Sequence, residues 1–252
     1  NIHNIKIHVE DYNQNLSEIK FKVKNSLQKI DQNNLLNEEA AQDVVQKKFY
    51  HKHKNNFLFK NLKIFLSEYS LYEDMIFRYS ILDSIKGVYG NIHRCHKKDI
   101  PIHKKYDLYI KENVPDKIKN KVYIAKREKE NTFKYIGGSW EGLYLKTSTR
   151  EFGDFCLVAD STAPVIKGVN IFPGKKINKQ KNIKLTIEDY KSGIKKFEAT
   201  INDEWVLMDY DHKTKIVRYD FNKIIKKGEN KFVLKVTDNC NNLTTYKAVF
   251  TL

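Results

Sequence analysis

The chain has little of what would cross-link it, anchor it or mark it as a known kind of catalyst. Its three cysteines, Cys95, Cys156 and Cys240, are odd in number and far apart, which excludes a disulfide framework. No apolar run approaches the roughly 20 residues that a membrane-spanning helix needs. No signal-peptide pattern opens the chain, but it starts at Asn1 without Met and so reads as a fragment, for which missing targeting signals carry no message. The nucleophile elbow G-x-S-x-G is absent, and so are recognition-helix, zinc-finger and RNA-binding aromatic signatures. Only 10 glycines and 4 prolines interrupt the 252 residues.

What is present is charge and alternation. The formal net charge is +15, yet the lysines are scattered among Asp and Glu along alternating segments. They read as solvated strand faces and not as a nucleic-acid site, leaving weak attraction to an anionic surface open. Apolar residues at 40% and aromatics at 12% make the chain globular, and its length suits one large or two ordinary domains.

From Val165 to Leu252 seven segments alternate apolar and polar: VIKGVNIF, NIKLTIED, IKKFEATI, EWVLMDY, KIVRYDF, NKFVLKVTD and TYKAVFTL. Short polar turns separate them at the spacing of an all-β sandwich. Residues 57–160 show a less regular alternation rich in Tyr, Phe and Ile, which predicts a second sandwich, with DSTAP (Asp160 to Pro164) as the boundary. Residues 25–56 lose the period of two and are assigned to a linker, with Leu35, Leu36, Ala40 and Val44 as one stripe of a short helix.

Residues 1–24 hold only two strands and a turn. Laid over the C-terminal VTDNCNNL, the segment VEDYNQNL matches at one constant offset: Val9 with Val236, Asp11 with Asp238, Asn15 with Asn242 and Leu16 with Leu243. Ile5 and Ile7 fall on Phe232 and Leu234 in the same register. VTDNCNNL joins the last two strands of a sandwich, so VEDYNQNL should do the same for another whose earlier strands lie upstream. The fold class is therefore all-β: β-sandwiches at 57–160 and 161–252, the latter seven-stranded, preceded by the terminal hairpin of a truncated upstream sandwich.

The series SLYEDMIFRY, IPIHKKYDLYIK, GGSWEGLYLKTSTREFGDFCLVADSTAPVI, DYKSGIKKFEATINDEWVLMDYD and GENKFVLKVTDNCNN resembles the region that follows the catalytic domain in Gram-negative, lysostaphin-type zinc endopeptidases of peptidoglycan. That resemblance implies tandem immunoglobulin-like modules without catalytic residues, metal or cofactor. It also implies an accessory, positioning function in the periplasm or cell envelope. The implied partners are a catalytic domain upstream on the same chain and peptidoglycan or another anionic envelope polymer, with no nucleic acid. The alternative is a structural stalk or adhesion module with no hydrolase attached.

The residues agree with a non-catalytic fragment. The family's zinc needs an H-x(3)-D element and a strand-borne H-x-H. His51 and His53 form H-x-H without the first element, and no H-x(3)-D precedes them. In NIHRCHKKD, His93 and Cys95 share one strand face and His96 the other, which suits a packed Cys with exposed His better than a metal site. Asp11, Asp189 and Asp238 sit at strand ends, where turn-closing Asx bonds explain them with fewer assumptions than a bridging calcium. For ligand binding the candidates are aromatic platforms: Trp140 and Tyr144 in GGSWEGLY, and Trp205 in NDEWVLMDYD.

Overall fold

The computed structural model describes residues 2–24, 44–129, 132–222 and 224–252. It divides into two compact units, Asn1–Ala40 and Ala41–Leu252. Of the stripe assigned to a short helix, Leu35, Leu36 and Ala40 lie outside the described residues, and Val44 is an exposed residue just before a strand.

In the first unit β1 (Ile2–Glu10) pairs antiparallel with β2 (Leu16–Lys24) in the register Ile5 to Phe21, Ile7 to Ile19 and Val9 to Ser17. The period of two then collects Ile5, Ile7, Val9, Ile19, Phe21 and Val23 on one face. The other face carries Lys6 and Lys20, both paired with Glu18. Asp11 closes the turn: its Oδ1 accepts the Asn13 and Asn15 amides at 2.9 and 3.0 Å, and its Oδ2 accepts Asn15 Nδ2 at 2.8 Å. Those donors, the Asn15 side chain first and its backbone N–H second, hold the Asp11 carboxyl below its ordinary range.

The second unit opens with a two-layer sandwich. One sheet runs in the order β10 (Thr132–Gly137), β9 (Val122–Lys129), β13 (Gly153–Ala159), β7 (Val88–Cys95), β6 (Met75–Leu82), β3 (Val45–Phe49). The other runs β11 (Ser139–Glu141), β12 (Tyr144–Thr149), β8 (Tyr106–Ile110), β5 (Leu62–Leu66), β4 (Asn55–Phe59). Aromatic rings dominate the shared core, with Phe49 stacked on Phe77 at 4.7 Å between centroids and Phe57 tilted against both Phe77 and Tyr79.

Two sequence expectations change here. Strand β3 and the first residues of β4 fall inside 25–56, the stretch assigned to a linker. VQKKF has too much Lys and Gln to read as a strand, but buried Phe49 anchors it. The buried Asn55 side chain then ties the β3–β4 turn to Tyr50 and His53. The second change is His96, expected on the exposed side of the strand and in fact half-buried against Phe77 and Phe152, while His93, on the Cys95 face, is 1% exposed. Tyr79 Oη lies 2.7 Å from His93 Nδ1 and Glu112 Oε1 lies 3.0 Å from its Nε2, so both ring nitrogens are matched inside the core.

The second sandwich has the sheet orders β14 (Val165–Gly168), β16 (Asn182–Glu188), β20 (Ile216–Asp220), β19 (Asp209–Asp211) and β15 (Lys175–Lys176), β22 (Leu243–Thr251), β21 (Glu229–Asp238), β17 (Ile194–Ile201), β18 (Glu204–Val206). In immunoglobulin lettering these are A-B-E-D and A′-G-F-C-C′. Nine strands stand where the sequence suggests seven. The two-residue β15 runs parallel to β22, too short to leave a periodic trace. EWVLMDY is two strands and not one: β18 pairs with β17 and β19 with β20, so the chain changes sheets at Leu207 and Met208. Met208 is buried there and Leu207 exposed, which keeps the alternation unbroken across the crossing.

Strands β21 and β22 repeat the hairpin of the first unit. Their register pairs Phe232 with Ala248, Leu234 with Tyr246 and Val236 with Thr244, the positions matching Ile5–Phe21, Ile7–Ile19 and Val9–Ser17. The turn repeats too: Asp238 accepts the Asn242 amide and its Nδ2, both at 2.7 Å. Asn241 takes φ +58° where Gln14 takes φ +64°.

His96 follows β7 at φ +62°, its ring against Phe77 and Phe152. Burial, reinforced by the Arg78 and Lys97 cations, pushes its pKa down to about 4. Because the folded value lies below the unfolded value of about 6.5, the stability it contributes is complete above pH 6.5 and drains away as pH falls toward 4. The urea midpoint should drop between pH 6.5 and 5, and His96→Asn, which tolerates a left-handed backbone, should flatten that drop. An unchanged slope would show that His96 is not the titrating group.

Candidate functional site

The polar residues of the second unit converge where its two sandwiches meet. Asp160 ends β13 with no exposed surface, and its amide donates to the Lys121 carbonyl at 2.9 Å. Its Oδ1 accepts the Thr162 amide at 2.9 Å, which turns the chain toward Pro164, and its Oδ2 accepts the Ser192 amide of the second sandwich at 3.1 Å. Asn242 Nδ2 donates both to Asp238 Oδ2 and to the Asp160 carbonyl at 2.9 Å. Asn239 Nδ2 donates to the carbonyls of Ser192 and Gly193 at 2.8 and 3.1 Å. From the other side Lys121 Nζ reaches the carbonyls of Cys240 and Asn241 at 3.0 and 3.1 Å.

An apolar plug completes the junction. Cys240, at the tip of the β21–β22 turn, is 4% exposed and packs in one cluster with Ile92, Tyr123, Ala125, Cys156 and Val158 of the first sandwich. Burial pushes the Cys240 thiol up to about 11 and the Cys156 thiol up to about 12, so both act as small apolar groups.

Three carboxylates share this place. Asp160, Asp189 and Asp238 each present an oxygen within 4.8 Å of the others, and among the described residues they form the group that could gather round a hard cation. Each also closes a turn. Asp189 Oδ2 accepts the Gly193 amide at 2.6 Å, where Gly193 at φ +78° takes a conformation that suits glycine, and Asp160 and Asp238 hold the donors already named. The Asx geometry expected for Asp11, Asp189 and Asp238 is thus in place. Asp160 was legible only as part of a boundary.

The three candidate aromatics lie apart. Trp140 on β11 faces Leu145 across the ladder while Tyr144 faces Glu141, so neighbours in GGSWEGLY point to opposite sides of the sheet. Trp140 is half-buried, donates from Nε1 to the Lys119 carbonyl at 2.9 Å and walls a cleft of about 560 Å³ with Asn61, Lys111, Glu112, Asp116 and Lys119. Tyr144 carries Lys63 Nζ 3.9 Å above its ring. Trp205, 64% exposed, stands on β18 in the other sandwich opposite Thr200. The histidines do not converge either: His51 Nδ1 lies 2.8 Å from Asp74 Oδ1, while His93 lies in the core.

Comparison with known proteins agrees with a β-sandwich region. Residues 46–160 match the family of the Zu5-like domain, covering the first sandwich. No curated protein matches. Among solved structures, fibronectin(III)-like modules of Clostridium thermocellum CbhA align at 14% identity over 58% of this chain and 85% of theirs, with a TM-score of 0.29. An endo-beta-1,4-mannanase from Thermotoga petrophila aligns at 17% identity over 36% of this chain with a TM-score of 0.30. The chain spans 20% of that mannanase, and superpositions this loose carry no argument about activity. The class is set by the sheets themselves: tandem β-sandwich modules, the first of which matches the Zu5-like domain model.

Asn242→Ala removes the side-chain bond that ties the β21–β22 turn to the Asp160 carbonyl, together with the one to Asp238, and so leaves buried Asp238 short of a donor. The expected loss is about 1–3 kcal/mol in urea unfolding, with faster amide exchange at Asp160 and Ser192. Asn15→Ala, the matching change in the exposed turn of the first unit, should leave the sandwich midpoint unmoved.

Proposed function

We propose that this chain is a non-catalytic accessory region of a peptidoglycan endopeptidase of the periplasm or cell envelope, in which paired sandwiches hold a catalytic domain at a set distance and angle. The observation that carries this reading is where the family-like motifs fall. ADSTAP, DYKSG and VTDNCNN, which carry three of the five segments resembling lysostaphin-type endopeptidases, supply Asp160, Thr162, Asp189, Ser192, Gly193, Asp238, Asn239 and Asn242. Those residues build the hydrogen-bonded junction. Three of the five resembling segments thus include groups that fix the geometry between modules, as a positioning role demands. Net charge of +15 favours an anionic envelope polymer as a weak second partner, with Trp205, Trp140 and Tyr144 as separate candidate contacts.

The competing reading is a stalk or adhesion module with no hydrolase attached. The natural polypeptide that contains this chain separates the two. With zinc it should hydrolyse isolated peptidoglycan sacculi, and the double variant Asp160→Ala/Asp238→Ala should slow that reaction on sacculi while sparing a short soluble peptide. A polypeptide that hydrolyses neither substrate supports the stalk. Equal loss on both substrates would argue against positioning.

A further inference from the structure

The β1–β2 hairpin presents an apolar face that its own strands do not cover. Ile5, Ile7, Val9, Ile19, Phe21 and Val23 are between 37% and 63% exposed. Their counterparts in the repeated hairpin, Phe232, Leu234, Val236, Ala248 and Phe250, are 3% exposed or less, with Tyr246 partly buried. Register, Asp–Asn turn and left-handed residue are shared between the two hairpins, so the difference lies in what packs on them. In the second sandwich β21 and β22 lie over Ile183, Leu185 and Ile187 of β16 and over Val217 and Tyr219 of β20. The outer edge of β21 is hydrogen-bonded to β17. Among the described residues β1 and β2 form a two-stranded sheet by themselves, and such a hairpin is marginal alone in water.

We propose that the β1–β2 face is the inner face of the F–G pair of a further immunoglobulin-like sandwich. Its occupant is a set of B-, C- and E-type strands from the same polypeptide on the amino-terminal side of Ile2. Three features define that occupant. It must present alternating Ile, Leu, Val or Tyr to match the apolar face, as β16 and β20 do. It must offer a strand to the free edge of β1, as β17 does for β21. It must also come earlier in the chain, because in the complete copy β14 to β20 all precede β21. The polar side, with Glu18 between Lys6 and Lys20, is then the solvated outer face. This inference does not depend on which activity, if any, the polypeptide carries.

The test compares amide exchange in the 252-residue chain with exchange in the natural polypeptide continued on its amino-terminal side. The outward amides of β1 should exchange at least about tenfold more slowly in the longer protein, because local opening of a packed strand is rarer than that of a free edge. Ile7→Asp in the longer protein should return those rates to the values of the shorter chain, while the melting of residues 44–252 stays unchanged. Equal β1 rates in the two proteins would overturn the proposal. So would a polypeptide without an alternating strand set before the hairpin. A concentration-dependent dimer of the 252-residue chain that Ile7→Asp dissolves would also overturn it, by assigning the face to a second copy.

Discussion

The junction depends on one carboxylate held by one asparagine. Asp238 is a charge with no exposed surface, and burial of that kind is tolerated only when the oxygens are met by donors. Asn242 meets both, with its amide on Oδ1 and its Nδ2 on Oδ2 at 2.7 Å, the length of charge-assisted bonds. Because the same Nδ2 also donates to the Asp160 carbonyl, the group that satisfies the buried charge is the group that docks the other sandwich. Turn and interface therefore cannot be loosened separately.

The hairpin of the first unit shows that the turn is complete before anything docks. Asp11 and Asn15 make the same bonds fully in water, at 2.8 to 3.0 Å. A turn that holds its shape alone brings little ordering cost to an interface, which is the advantage of preorganisation. The contrast between Asp11 and Asp238 is one of burial and not of geometry.

Much of this was legible in the sequence, and the gaps have physical causes. Period-two alternation located the strands that bury one face, β16, β17, β20, β21 and β22 among them, and the repeated D-x-x-x-N spacing revealed the shared turn. Alternation says nothing of which sheet a strand joins, so EWVLMDY read as one strand although the chain changes layers at Leu207 and Met208. Strand β3 was hidden because Phe49 supplies most of its burial. Long-range polar partners were equally invisible. Nothing local connects His93 to Glu112, or Asp154 to Arg94 and Arg127, yet burial that would raise the Asp154 carboxyl is outweighed by those two guanidiniums. The faces of the aromatic candidates depend on register, which a single strand does not show: one pleat sends Trp140 and Tyr144 to opposite sides.

The docked Asp–Asn turn and its twin in the first unit differ at the three positions between their shared ends, Asn239, Cys240 and Asn241 against Tyr12, Asn13 and Gln14, and the middle one changes polarity most. In the docked turn that position is Cys240, which enters an apolar cluster with Tyr123 and Val158; in the hairpin it is Asn13, exposed beside a fully exposed Tyr12. A thiol whose pKa is raised to about 11 gives up little hydration on burial, whereas an asparagine amide would need partners that Ile92, Ala125 and Cys156 cannot offer with their side chains. The Asp and Asn supply a generic clasp, and the residue at its tip sets the chemistry of the surface it can grip. An apolar plug fits the first sandwich of this chain, where Ile92, Tyr123, Ala125, Cys156 and Val158 receive it. A polar tip such as Asn13 suits either water or a module whose facing surface is itself hydrogen-bonding, so repeats that share one turn can be sorted onto different neighbours without any change in their sheets.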